Sequence, residues 1–185
     1  MKKTMIILAA IALATPSLAV VIPEGTHEIG FAGAVDSDTP QGTDISFDLK
    51  YGMFLMDQFV LGGTLGVTDN DTATTWDIGV YGEYNWDTQT EWVPYVGLDG
   101  TWSSVDPASG DSADAFVATP NVGVKYFFNE SVAAYGQFNY DLATDDIYVD
   151  EDLNAESTNY GIMLGLRIYL GRSEERRVGK ECRSR

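Results

Sequence analysis

TWDIGVYGEYNWDTQTEWVPYVGLDGTW, residues 75–102, is the stretch whose reading decides the fold. Trp76, Ile78, Val80, Tyr84 and Trp86 fall on alternate positions, and Asp77, Gly79, Tyr81, Glu83 and Asn85 fill the places between. A period of two is that of a strand whose two faces meet different surroundings. After a polar break at Asp87–Glu91, Trp92, Val96, Leu98 and Trp102 resume the pattern. Trp76 and Trp86 stand ten residues apart on one face, and Trp92 and Trp102 repeat that spacing. At about 3.3 Å per residue and a tilt near 45°, such a span climbs about 23 Å, close to the roughly 25 Å of a lipid-facing band between two aromatic girdles. A soluble β-sandwich also alternates, but it has no reason to close an apolar row with tryptophan at both ends. Pro94, inside the second pair, is tolerable near a strand start.

The alternation extends both ways. Ile45, Phe47, Leu49, Tyr51 and Met53 share a face opposite Ser46, Asp48, Lys50 and Gly52, and Phe59, Leu61, Leu65 and Val67 oppose Thr64 and Gly66. Further rows run from Phe116 to Tyr126, from Val132 to Tyr140 and from Tyr160 to Leu170. A first strand near His27 to Val35 is the least marked. Nothing in the body has helical period, so the chain reads as all-β. The connections sort into short ones at Met56–Gln58, Asp87–Glu91 and Phe128–Ser131 and long ones at Asp36–Thr43, Asp69–Thr74, Ser104–Ser112 and Ala143–Glu156. Short turns on one side and longer loops on the other, with both termini together, require eight strands.

Both ends depart from this pattern. Lys2 and Lys3 precede an apolar run from Met5 to Leu13, and Ser17-Leu18-Ala19 places small residues where a signal peptidase reads. Residues 1–19 are therefore expected to be a cleaved export signal, too short in its apolar part to be a spanning helix. At the other end RSEERRVGKECRSR, residues 172–185, holds six of the 11 basic residues and the one cysteine, Cys182. It resembles translated sequencing adapter, a common adapter string giving this peptide residue for residue when read in frame. It is expected to be an artefact rather than a lipid-binding basic tail. The body, residues 20–171, then keeps three cations, Lys50, Lys125 and Arg167, against 25 of the 28 acids, a net charge of about −22. Such a charge repels nucleic-acid phosphates and excludes that class of partner. With Cys182 set aside there is no disulfide framework and no thiolate site.

On the phrases WVPYVGLDGTW (92–102) and NYGIMLGLRIYL (159–170), and on the alternating segments around them, the chain resembles the small outer-membrane β-barrel superfamily of the OmpA- and OmpX-like, porin-like kind. The resemblance covers most of residues 20–171. It implies an eight-stranded antiparallel up-and-down transmembrane barrel in the cell outer membrane. It also implies a monomer placed there by the outer-membrane assembly machinery, in contact with outer-membrane lipid and lipopolysaccharide. The last strand in that group usually ends in an aromatic residue, whereas here Leu170 ends the apolar face and Tyr169 lies on the other.

The candidate residues follow from this reading. Lys50, Lys125 and Arg167 all fall on inward positions, with the inward acids Asp48, Asp77, Glu83 and Asp99 available to them. Buried charges in so narrow a barrel must be paired, so an internal salt-bridge network is expected, with a narrow ion path as the functional alternative. Trp76, Trp86, Trp92 and Trp102 are the expected lipid-interface aromatics. The long loops are acidic, most of all around Asp145, Asp146, Asp150, Glu151 and Asp152. Clustered carboxylates suit hard divalent cations, but the ordered spacing of a calcium loop is missing, so a solvated surface is the plainer reading. Catalysis is not expected. His27 is the chain's one histidine and stands at the rim where enzymes of this type do not keep theirs. The glycines within strands have no phosphate-loop spacing and are expected to relieve crowding; no cofactor is implied. Three functions stay open: a structural or surface-interaction barrel displaying acidic loops, a narrow channel for ions or small solutes, and a soluble β-barrel that binds a small hydrophobic ligand.

Overall fold

The computed structural model describes residues 22–39, 42–70, 73–108, 112–149 and 155–171; the export signal and adapter-like tail read from the sequence lie outside them. Alternation becomes long strands: β1 (His27–Thr39), β2 (Gly42–Met56), β3 (Phe59–Asp69), β4 (Ala73–Asn85), β5 (Trp92–Pro107), β6 (Ala113–Asn129) and β7 (Val132–Ala143). Two short strands, β8 (Tyr148–Val149) and β9 (Ala155–Glu156), pair with each other, and β10 (Thr158–Leu170) returns to the main sheet. The eight long strands are all antiparallel and close into a barrel in the order β1-β10-β7-β6-β5-β4-β3-β2. No helix occurs among the described residues.

Closure turns the two faces of each strand into an inside and an outside. In β4 and just past it, Tyr81, Glu83 and Asn85 are buried, while Trp76, Ile78, Val80, Tyr84 and Trp86 are 45–62% exposed. The same sorting holds in β10, where Arg167 and Tyr169 are buried and Tyr160, Ile162, Leu164, Leu166 and Leu170 face out. The exterior is thus an apolar belt around a polar and aromatic interior.

The two ends differ. At the base, Asp57-Gln58 and 130–131 are tight turns, with Gln58 at a φ of 69°, and 86–91 is a wider one. The segment before β1 tucks beneath the barrel: the Gln58 amide donates to the Ile22 carbonyl, and Gly25 and Thr26 exchange hydrogen bonds with Phe54. Ile22 thereby enters a buried cluster with Phe54, Val60, Tyr81, Val93, Phe127, Ala133 and Tyr169. At the mouth, the strands run further than the sequence pattern predicts. Asp36 pairs with Asp44 and Thr39 with Gly42, and Asp69 pairs with Thr74, so two of the four expected long loops are narrow hairpins. The turn at 86–91 exceeds both. Only the connection after β7 is long, and it carries the β8–β9 hairpin. Loop length is therefore a poor guide, because polar residues that look like loop extend the ladder; the strand count stands on the closed pairing instead.

Two ladders are incomplete. Between β6 and β7 pairing lapses at Thr119–Pro120, where proline has no N–H to give. At the seam, β1 and β10 pair only from His27↔Leu170 to Ala32↔Gly165. Toward the mouth, Gly33–Thr39 pairs with β2 alone and Thr158–Leu164 with β7 alone among the described residues.

Candidate functional site

Near the base a layer of charge crosses the interior. Gly30 lies between Arg167 on β10 and Lys50 on β2, and a Cβ there would come within 2.9 Å of the Arg167 side chain, so glycine makes the room. Arg167 reaches Glu28 on β1 and, at 3.4 Å, Glu83 on β4; Lys125 on β6 reaches Glu28 at 3.1 Å and also pairs with Glu83. Asn85 accepts a further bond from Lys125 at 2.8 Å. Two cations and two carboxylates, from four strands, form a neutral ring from which water is almost wholly shut out; Glu28, Lys125 and Arg167 have 0% exposure. Tyrosines wrap it. Tyr81 donates to Glu28 at 3.1 Å, the Arg167 guanidinium lies 4.4 Å from the Tyr135 ring centre, and the Lys125 ammonium lies 4.9 Å from that of Tyr95. Such desolvated cation–π contacts add to the ion pairs.

Of the seven interior residues expected from the sequence, five enter ion pairs. Lys125, Arg167 and Glu83 meet in the ring, and Lys50 pairs with Asp99 higher up, where Asn121 donates to Asp99 at 3.2 Å. Asp48 and Asp77 face inward but make no ion pair among the described residues; Asp77 accepts from Ser103 instead. Glu28, the acid common to both lower cations, went unread because β1 mixes Gly30, Ala32, Gly33 and Ala34 on both faces and blurs the alternation. The signal was present in His27, Ile29 and Phe31 as the outward row. Asp141, another inward acid, held by Thr119 at 2.7 Å, went unread as well.

The interior toward the mouth is polar and acidic, with Asp48, Asp77, Asp99 and Asp141 against the single cation Lys50 among the described residues. Burial and then the charges of Asp141 and Asp77 push the Tyr148 hydroxyl above its ordinary value. Asp145 and Asp146 are exposed, while Asp150, Glu151 and Asp152 lie outside the described residues. No group of three or more His, Cys, Asp or Glu among the described residues could hold a metal ion.

Outside, the four tryptophans behave as one set. Trp76, Trp86, Trp92 and Trp102 are all outward and 45–60% exposed, and Tyr84, Tyr126 and Phe128 join the base pair through ring contacts from 4.7 to 5.6 Å between centres. His27 is on this outer face at the base, stacked on Tyr51 with its Nδ1 3.0 Å from the tyrosine hydroxyl. No serine or carboxylate partner completes a catalytic set around it among the described contacts.

No protein-family profile matches the chain, and no curated protein matches it. Solved structures do. The neisserial surface protein A is 17% identical with a TM-score of 0.52, the match covering 80% of this chain and 97% of that one. The outer membrane protein OprG of Pseudomonas aeruginosa is 13% identical with a TM-score of 0.49, over 83% of this chain and 99% of its own. What the chain shares with neisserial surface protein A is the fold.

Proposed function

We propose that this chain is an outer-membrane β-barrel with a structural or surface-interaction role, which displays an acidic rim and loops outside the cell and passes no solute. The observation that carries the reading is that an apolar, aromatic-edged exterior encloses an interior shut twice over at one end. The Ile22 floor fills the base, and the Glu28–Arg167–Glu83–Lys125 ring fills the section above it. A barrel of eight strands is just wide enough to be filled by its own side chains. The export signal read in residues 1–19 agrees with delivery to that membrane.

Purified protein should need detergent and should migrate differently on a gel before and after heating. A monodisperse protein in plain buffer would point instead to the soluble ligand-binding barrel. In a planar bilayer no sustained discrete openings are expected. The polar chamber toward the mouth favours a second reading, a narrow channel, and steady single-channel openings would establish it over the first.

A further inference from the structure

We propose that this barrel pairs with a second copy of itself in the membrane through the open junction between β1 and β10; the inference rests on the membrane reading above. The two free edges match. Pairing at the base runs without a shift from His27↔Leu170 to Ala32↔Gly165, and the same register carried upward sets Gly33 opposite Leu164 and Thr39 opposite Thr158. The free halves, Gly33–Thr39 and Thr158–Leu164, are therefore equal in length and run antiparallel. In one barrel they stay apart. Gly33–Thr39 follows β2 as far as Thr39↔Gly42, and Thr158 follows β7 at Leu142, a hold extended by the bond from the Ala143 amide to the Ser157 carbonyl.

The surroundings of the edge point to a partner in the plane of the membrane. Ile162 and Tyr160, on the free half of β10, are 78% and 72% exposed, more than any other large apolar or aromatic side chain among the described residues. Leu164 shares their outward row, so the open edge lies in the apolar belt, where unpaired backbone N–H and C=O groups have no water to meet. An edge of this kind is a template for another strand. A copy related by a two-fold axis along the membrane normal brings its own β10 to this β1 and its own β1 to this β10, so one contact satisfies both junctions at once. Both barrels keep their base pairing, and with it the contact of Arg167 with Glu28, so each remains closed below a shared mouth. This differs from the monomer that the family resemblance implies.

The test uses cysteine pairs in the full chain carrying Cys182→Ser, folded into lipid vesicles and checked by heat-sensitive gel mobility. One preparation carries Gly33→Cys and another Leu164→Cys, and the two are mixed before folding and then oxidised. Disulfide-linked dimer should exceed that of either variant alone several-fold, and should fall as lipid is added at constant protein. Thr39→Cys with Thr158→Cys, at the other end of the matched edges, should behave alike, whereas Gly33→Cys with Thr158→Cys should not cross-link. A mixture that gives no more dimer than its components would overturn the proposal. So would a chain carrying both Gly33→Cys and Leu164→Cys that oxidises only within itself, since the junction would then be sealed in one barrel. Should one pair prevent folding, the other decides. Failure of the unaltered chain to fold into any vesicle would remove the membrane reading, whereas a folded barrel without the cross-link removes this inference alone.

Discussion

Arg167 shows what one residue costs and secures in this interior. It is fully buried and it faces two carboxylates, so Arg167→Met leaves Glu28 and Glu83 to share Lys125. Breaking a buried ionic group by removing one partner typically costs about 3–5 kcal/mol. The urea midpoint of the folded protein in lipid vesicles should fall accordingly, and replacing all four charged residues by apolar ones of like volume should restore much of the loss. A second residue-scale expectation concerns Gly123, directly opposite Tyr95 in the β5–β6 register. A Cβ at that position would stand 2.6 Å from the tyrosine ring, so Gly123→Ala must displace the ring over which Lys125 sits. A loss of about 1–3 kcal/mol, as for other overpacked cores, is expected from the same denaturation measurement. Lys50, Lys125 and Arg167 were legible as inward residues because each falls between two residues of an apolar row, on the opposite face of its strand. Their partners were less so, because which acid meets which cation depends on strand stagger around the closed ring, and one sequence does not display stagger.

At the scale of the strand, the outward face admits a depth test. Leu98 lies between Trp92 and Trp102 on β5 and is 57% exposed, whereas Trp76 stands at the edge of its row. If the belt is in hydrocarbon, Leu98→Arg should cost about 2–4 kcal/mol and Trp76→Arg only about 0–1 beyond the loss of the ring's own packing, since the penalty fades toward the interface. Comparable refolding midpoints for the two variants would contradict a lipid-facing belt. The strands themselves were plain in the sequence from β2 onward, because a period-two row bounded by tryptophan suits a strand with one apolar face and suits neither a helix nor a loop. Their mouth-side limits were not plain. Asp36, Asp44, Asp69 and Thr74 look like loop residues, yet past the belt a polar side chain is welcome on a strand, and only backbone pairing tells where the ladder stops.

At the scale of the whole molecule, the described residues hold three cations, Lys50, Lys125 and Arg167, and all three lie within the wall. The half-paired junction between β1 and β10 sets how that wall gives way. The other lapse, at Thr119–Pro120 between β6 and β7, is closed by pairing on both sides, whereas here an open fork exists already at Ala32 and Gly165. It acts as a crack tip, and separation can advance from it one pair at a time toward the base. Native-state hydrogen exchange should record the order: amides of Gly161–Leu164 that point toward β1 should exchange first, those of Leu166–Leu170 later, and those of the β4–β5 pair last. Uniform protection along β10 would mean that the junction is sealed to the rim. Rupture thus has a fixed starting point, chosen by where the chain's first and last strands stop matching.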